Sequence, residues 1–284
     1  MRHRIAWLDV FAERPLAGNG LAVVDDADDL DEGRMLAFAQ EMGLSETTFV
    51  QSANAEGADY RNRIWTTLEE LPFAGHPSLG TAVAVARWHG LEEASFVQQT
   101  PAGLQPIDVA PEDDAWRATM LQNPAELGEE VDRGKAMAMA GLGADQADPE
   151  LPPQLASTGL PQLIAPVASP EAVAATNPDL ETLRAQLERL GTDSFYVAWC
   201  DPANGRAQAR CFVPGIGLGE DPATGSAAGP LGAYLAEHTG CERLVIRQGE
   251  EMGRPSVLEV EMVGGRPQVG GRVIPVIDGE VSLS

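Results

Sequence analysis

Gly219-Glu-Asp-Pro-Ala-Thr-Gly-Ser-Ala-Ala-Gly-Pro-Leu-Gly-Ala-Tyr-Leu-Ala, residues 219–236, is a small-residue loop that opens on acids and then carries no charge until Glu237. The pattern predicts a helix start directed at an anion. Gly225 and Gly229 let the backbone approach a ligand, and Pro230 costs little in a first helical turn, where its missing N–H would be unpaired anyway. Bare N–H groups and the helix dipole favour a carboxylate or phosphate there.

An earlier stretch has the same design. Pro72-Phe-Ala-Gly-His-Pro-Ser-Leu-Gly-Thr-Ala-Val-Ala-Val-Ala again joins small residues, a proline in the presumed first turn and an uncharged run, this time to Arg87. Two such starts imply two pseudo-equivalent halves. Each apolar run is too short to span a bilayer, and a helix with no polar face must be wrapped by protein on every side. Strands are the available wrapping.

The 284 residues suffice for two domains of ordinary size. A net charge of -24, from 43 Asp and Glu against 19 Lys and Arg, disfavours nucleic acid as a partner, because such a surface cannot release counterions from a polyanion. Lys135 is the only lysine, a balance that a salt-rich cytoplasm selects and that a GC-rich genome can also produce. On the salt-adapted reading the melting temperature rises markedly with added salt up to molar concentrations, since screening relieves repulsion among carboxylates. Cys200, Cys211 and Cys241 lack metal-ligand spacing and read as core thiols, with no disulfide framework. Met1-Arg-His-Arg leads into an amphipathic strand rather than an apolar signal segment, so a soluble cytoplasmic protein without a membrane span is expected.

Along the chain, Ile5–Phe11 and Leu21–Val24 read as strands around a Gly18-Asn-Gly turn. Asp25 to Asp31 reads as a solvated acidic loop. Asp31 or its neighbours cap a helix with Met35, Phe38, Ala39 and Met42 on one face and Gly43 as its stop. Tyr60–Trp65 and pieces of Glu93–Val109 read as strands, and Pro111-Glu-Asp-Asp as a domain boundary. The halves are therefore drawn as 1–114 and 115–284, with the last strand free to return to the first. In the second half, Leu180, Leu183, Leu187 and Leu190 form a core stripe, and Ser194–Trp199 pairs with Ala207–Val213.

Some residues invite chemistry. Glu46 follows a helix stop and begins a strand, sharing a face with Thr48 and Val50; on residue grounds alone a lone glutamate there is most often an edge carboxylate held by its own loop. His76, between Gly75 and Pro77 at a helix start, has its charged form disfavoured by the dipole, leaving a neutral donor or acceptor. Asp221 and Ser226 are each explained by simple capping of the second loop.

Glu220-Asp-Pro-Ala-Thr-Gly-Ser-Ala, Leu71-Pro-Phe-Ala-Gly-His-Pro-Ser-Leu-Gly-Thr-Ala and Leu44-Ser-Glu-Thr-Thr-Phe-Val together resemble the PhzF-like phenazine-biosynthesis family, in order and approximate spacing. Asp9-Val-Phe, Gly18-Asn-Gly-Leu-Ala-Val-Val, Thr158-Gly-Leu-Pro and Gln248-Gly-Glu-Glu-Met-Gly-Arg-Pro-Ser extend the resemblance over nearly the whole chain. It implies an α+β fold like that of diaminopimelate epimerase: two pseudo-equivalent halves, each a strand barrel closed around a central apolar helix, commonly as a homodimer. It makes Glu46 the general acid/base, which suits a carboxyl in a closed apolar cleft. His76 and Asp221 join it as catalytic residues, with Ser45, Gly75, Gly225 and Ser226 binding substrate where the two helix starts face each other.

The expected function is a cofactor-independent and metal-free isomerase of a small carboxylic acid. The alternatives are an epimerase or racemase-like enzyme of unknown substrate, and a non-catalytic small-acid binder on the same fold. Diaminopimelate epimerase uses a cysteine at each helix start, whereas this chain has His76 and Ser226 in those loops, so a two-cysteine racemase is ruled out. The second loop lacks a following Lys-Ser or Lys-Thr pair, which argues against a phosphate-binding NTPase.

Overall fold

The computed structural model describes residues 2–215 and 219–283. The chain forms two compact units, Met1–Leu121 with Gly270–Ser284, and Gln122–Val269. The first contains β1 (Arg2–Val10), β2 (Asn19–Val24), α1 (Glu32–Met42), β3 (Thr47–Gln51), β4 (Tyr60–Trp65), β5 (Glu70–Leu71), α2 (Gly75–Trp88), β6 (Ala94–Thr100), β7 (Gly103–Glu112) and β8 (Ala115–Leu121). The second contains β9 (Glu126–Glu130), α3 (Arg133–Met139), β10 (Gln154–Ser157), β11 (Pro161–Pro166), α4 (Pro170–Ala175), α5 (Leu180–Leu190), β12 (Phe195–Asp201), β13 (Arg206–Phe212), β14 (Glu220–Asp221), α6 (Gly225–Thr239), β15 (Arg243–Gln248) and β16 (Ser256–Val263). The last strand, β17 (Arg266–Ser282), begins in the second unit and ends in the first.

In the first unit β1 pairs with β2, β2 with β3, β3 with β4, β4 with β6, β6 with β7 and β7 with β8. β17 returns to pair with both β8 and β1, which closes an 8-strand barrel. Closure leaves the barrel no free edge for another strand to join. Two steps, β2–β3 and β4–β6, are parallel, and each needs a crossover. α1 makes the first and α2 the second.

α2 runs through the barrel. All of its residues from Gly75 to Ala86 are buried, and it packs against β1, β2, β3, β4, β6, β7 and β8. This is why its sequence carries no polar face. The axial position demands close approach: a Cβ on Gly80 would lie 2.5 Å from Leu21 Cδ2 and 2.9 Å from Val10 Cγ2. Gly80→Ala should therefore destabilise by about 1–3 kcal/mol through overpacking, despite alanine's better helix propensity, as read from urea unfolding. A variant at least as stable as the parent would show that the barrel wall yields at no cost.

The second unit repeats this connectivity. β10–β11 is antiparallel, β11–β12 parallel, β12–β13 antiparallel, β13–β15 parallel and β15–β16 antiparallel, as are their counterparts β1–β2, β2–β3, β3–β4, β4–β6 and β6–β7. Two-residue strands, β5 and β14, occupy the same place before α2 and α6. The sheet wraps α6, and its outer side carries a second core of Met137, Leu163, Val173, Leu183, Leu187, Phe195 and Phe212.

Local sequence logic is visible throughout the first unit. The Asp31 carboxylate accepts from Arg34 N at 2.8 Å as the cap of α1, Gly43 ends it at φ 62, and Met35, Phe38 and Ala39 are buried.

Four details differ from the sequence expectation. Pro111-Glu-Asp-Asp is the turn of the β7–β8 hairpin, in which Glu112 faces Ala115, so the first unit continues to Leu121. A polar turn inside a hairpin has the composition of a linker. Pro230 lies well inside α6, which starts at Gly225, and there it withholds the N–H that Ser226 C=O would otherwise receive. Leu180 is 37% exposed at the first turn of α5, leaving Leu183 and Leu187 as the buried part of that stripe. Asp25 is buried and ion-paired with Arg4 rather than solvated. No helix among the described residues is long and apolar enough to cross a membrane.

Candidate active site

Glu46 sits in the short segment between the Gly43 stop of α1 and the first residue of β3, with 9% of its surface exposed. Strand alternation puts it on the side of Thr48, whose hydroxyl meets Thr81 of α2 at 2.8 Å. That side faces the central helix. His76 is the second residue of α2, and its Nε2 lies 3.5 Å from Glu46 Oε2. Ser45, half-buried, precedes the glutamate. Thus two of the residues singled out in sequence, thirty positions apart and from different elements, share one buried corner.

Burial pushes the His76 imidazole down to about 3, so it is neutral across the physiological range. Between that value and the ordinary histidine value of 6.5, the unfolded chain binds a proton that the folded protein does not. Stability from this group is complete above the unfolded value and is lost as pH falls through the window, with a slope of at most about 1.4 kcal/mol per pH unit. His76→Gln should flatten that part of the acid limb of a stability–pH curve; identical slopes in parent and variant would show that His76 titrates alike in both states.

The start of α2 is itself bare. Ala74 occupies the cap position and offers no side-chain hydrogen bond, while Pro77 in the first turn has no N–H to place. A buried polar chain holds the turn from behind: Ser78 Oγ donates to Ala74 O at 2.7 Å, Gln98 Nε2 donates to Ser78 Oγ at 2.6 Å, and Asn62 Nδ2 donates to Gln98 Oε1 at 3.1 Å. The N–H groups of Gly75 and His76 are thereby fixed in direction.

The second unit carries the parallel arrangement. Gly225 and Ser226 are the first residues of α6, and the cap residue Thr224 makes no side-chain bond to the helix. Its hydroxyl donates instead to Asp221 Oδ2 at 2.6 Å and accepts from Gln248 Nε2 at 3.0 Å. Gln248 also donates to Asp221 O at 2.8 Å and accepts from Tyr196 Oη at 2.9 Å. Asp221, half-buried in β14, is thus tied to its own loop and to β15. Gln122 braces the other flank, donating to Gly225 O at 2.9 Å and accepting from Thr158 Oγ1 at 2.8 Å. In each unit a glutamine from the strand after the central helix steadies the helix start. Gln248 and Thr158 lie in stretches quoted from sequence, but nothing in sequence assigns them this bracing.

An arginine–glutamate pair before each helix start is a further repeat. Arg63 of β4 grips Glu70 of β5 with two hydrogen bonds, and Arg210 of β13 grips Glu220 of β14 with two of 2.8 Å. Arg63 also reaches Glu32 at 3.2 Å, and Arg210 Nη1 donates to Thr176 O at 2.6 Å. Both arginines lie over an aromatic ring, Trp65 and Phe212. The available signal is the recurrence of Glu-X-Pro-X-X-Gly at 70–75 and 220–225, which locates both carboxylates before the two helix starts.

The thiols stand apart from this chemistry. Cys200 and Cys211 are buried in β12 and β13, and burial pushes the Cys211 thiol up to about 12 and that of Cys200 higher still, which withholds thiolate at neutral pH. Among the described residues, no group of three or more His, Cys, Asp or Glu side chains is arranged to hold a metal ion.

Residues 8–279 match the PhzC-PhzF family, described as phenazine biosynthesis-like protein. The chain is 36% identical over 271 residues to the trans-2,3-dihydro-3-hydroxyanthranilate isomerase of Pseudomonas aeruginosa, covering 94% of this chain and 93% of that one. It is 31% identical to an uncharacterized isomerase of Escherichia coli, over 92% of this chain and 90% of the other. Among solved structures, a predicted epimerase from Pseudomonas aeruginosa superposes with a TM-score of 0.86 at 38% identity, covering 98% of this chain and 99% of that one. A hydroxyproline epimerase from Agrobacterium vitis, at 14% identity and a TM-score of 0.67, shares the fold.

Proposed function

Because the chain belongs to the PhzC-PhzF family of phenazine biosynthesis-like proteins and is an isomerase of that family, we propose that it moves a proton between two carbons of a small carboxylic acid, with Glu46 taking and returning it. The observation that carries this reading is the buried Glu46 carboxylate 3.5 Å from a neutral His76 at the bare start of α2. A carboxyl group shielded from water is suited to both halves of a proton transfer, and a neutral imidazole beside it polarises without competing as a base at neutral pH. The N–H groups of Gly75 and His76 would hold the substrate carboxylate, whose partial neutralisation also makes its neighbouring C–H more acidic. Asp221, with Gly225 and Ser226, is assigned a second set of substrate contacts, and Ser45 lies beside the acid/base.

A single carboxyl that removes and returns a proton on one face of the substrate gives a shift between carbons rather than inversion at one carbon, which favours isomerisation over epimerisation. The proposed assembly is a cytoplasmic homodimer acting without metal or organic cofactor. One relative is named for a dihydro-hydroxyanthranilate substrate and another bears no substrate in its name, so the reading is confined to small carboxylic acids. A panel of such acids, including the dihydro-hydroxyanthranilate, is incubated with the purified protein in deuterated water without added metal, pyridoxal phosphate or nicotinamide. Deuterium entering a carbon position of one acid, with a shifted double bond, is the expected result. Binding of an acid with no exchange would reassign the protein as a binder on this fold.

A further inference from the structure

His76 has two ring nitrogens with different neighbours, and those neighbours decide where its single proton resides. Nε2 faces Glu46 Oε2 at 3.5 Å. Nδ1 faces the amide nitrogen of Asn19 at 3.3 Å. Asn19 is 2% exposed and is the first residue of β2, so its side chain is held by the barrel wall and not by solvent. An amide nitrogen donates and has no lone pair to offer, so the ring nitrogen it meets must be the acceptor. A neutral imidazole with an acceptor at Nδ1 carries its hydrogen on Nε2.

We propose that Asn19 is a positioning residue that fixes the tautomer of His76, directing an Nε2–H donor at the Glu46 carboxylate. The assignment matters for chemistry because the two tautomers present opposite faces to that carboxylate: Nε2–H turns a hydrogen toward it across 3.5 Å, whereas a bare Nε2 sets two lone pairs against each other. A substrate proton arriving on Glu46 then meets a neighbour that already holds its own hydrogen, so the proton stays on the carboxyl until it is returned to carbon. The imidazole neither gains nor loses a proton in this cycle. Asn19 touches the reacting groups only through His76.

The rate consequence rests on the acid/base reading of Glu46, but the tautomer can be read without turnover. The protein is labelled with ¹⁵N-histidine, and the two-bond proton–nitrogen spectrum is recorded near neutral pH, the His76 pattern being identified by its loss in His76→Gln. The expected pattern is a protonated Nε2 and an unprotonated Nδ1. A protonated Nδ1 in the parent protein would overturn the proposal by itself, whatever any variant does. In Asn19→Asp the new carboxylate can only accept, so the hydrogen should move to Nδ1 and the pattern should reverse; an unchanged pattern in a folded variant would also overturn it. Isotope exchange should fall at least about tenfold in kcat with KM little changed, a smaller loss than the roughly 10⁴-fold seen when the imidazole that itself moves the proton is held in the wrong tautomer. A reversed tautomer with undiminished exchange would remove the catalytic consequence, and exchange that survives Glu46→Gln would separately remove the acid/base reading.

Discussion

Glu46→Gln lowers turnover and solvent-isotope exchange by roughly 10²–10⁴-fold, the usual range for loss of a positioned acid/base, while leaving the fold and substrate affinity nearly intact. The amide has the shape of the carboxyl and still presents an oxygen toward His76 Nε2, 3.5 Å away in the parent protein. It cannot accept a proton from carbon and deliver it back. The loss should therefore fall on kcat, with the dissociation constant for a substrate or product acid changed little. Removing a buried carboxyl from a site that is 9% exposed should not lower stability, because a neutral amide is cheaper to bury than an ionised group. The measurement is single-turnover exchange in deuterated water, with calorimetric binding alongside. Turnover unchanged in a folded Glu46→Gln protein would leave the proton without its carrier and sink the mechanism.

Arg210→Ala should cost about 3–5 kcal/mol of stability, the scale on which a buried ion pair fails when one partner is removed. The guanidinium is 10% exposed and Glu220 15%, so neither charge can turn to water once the other is gone. The arginine also donates to the carbonyls of Val173, Ala174 and Thr176 at the end of α4, and alanine withdraws that donor from all three. Removing both charges together with apolar replacements of similar volume should recover much of the loss, since the desolvation penalty disappears with them. Chemical unfolding of the single and paired variants tests this. A single variant within about 0.5 kcal/mol of the parent, the range of an ordinary surface change, would mean that the pair is solvated in solution.

The sequence was most legible where local chemistry and tertiary demand agree. α2 and α6 are recognisable because an uncharged helix has only one destination, and Asp31 and Gly43 bound α1 because a cap and a left-handed stop are local devices. Motif resemblance singles out Glu46 and His76; their 3.5 Å approach depends on α1 ending at Gly43 and on strand alternation inside a barrel. In sequence Asn19 is the middle of a turn, the ordinary fate of an asparagine between two glycines. Its burial against His76 follows from a helix that enters the barrel 57 residues later, and no local signal encodes that. The bracing by Gln98 and Gln248 is hidden in sequence for the same reason: a glutamine in a strand is unremarkable until the helix it braces is in place. Pro230 shows the opposite case, a local rule overruled because the wrapping of α6 supplies what one missing hydrogen bond withholds.

The wall of the first barrel is not continuous in the order of synthesis. A ribosome releases β1 to β8 first, then the whole of the second unit, and only then the stretch of β17 that pairs with β1 from Val273 to Ser282. Until β17 emerges, β1 and β8 both present unsatisfied backbone edges and α2 lacks one side of its sheath. The second unit, made later, is finished earlier. The nascent protein therefore inverts the common progression in which the amino-terminal domain folds first, and any chaperone that shields exposed strand edges has its longest period of work on the part of the chain that contains Glu46.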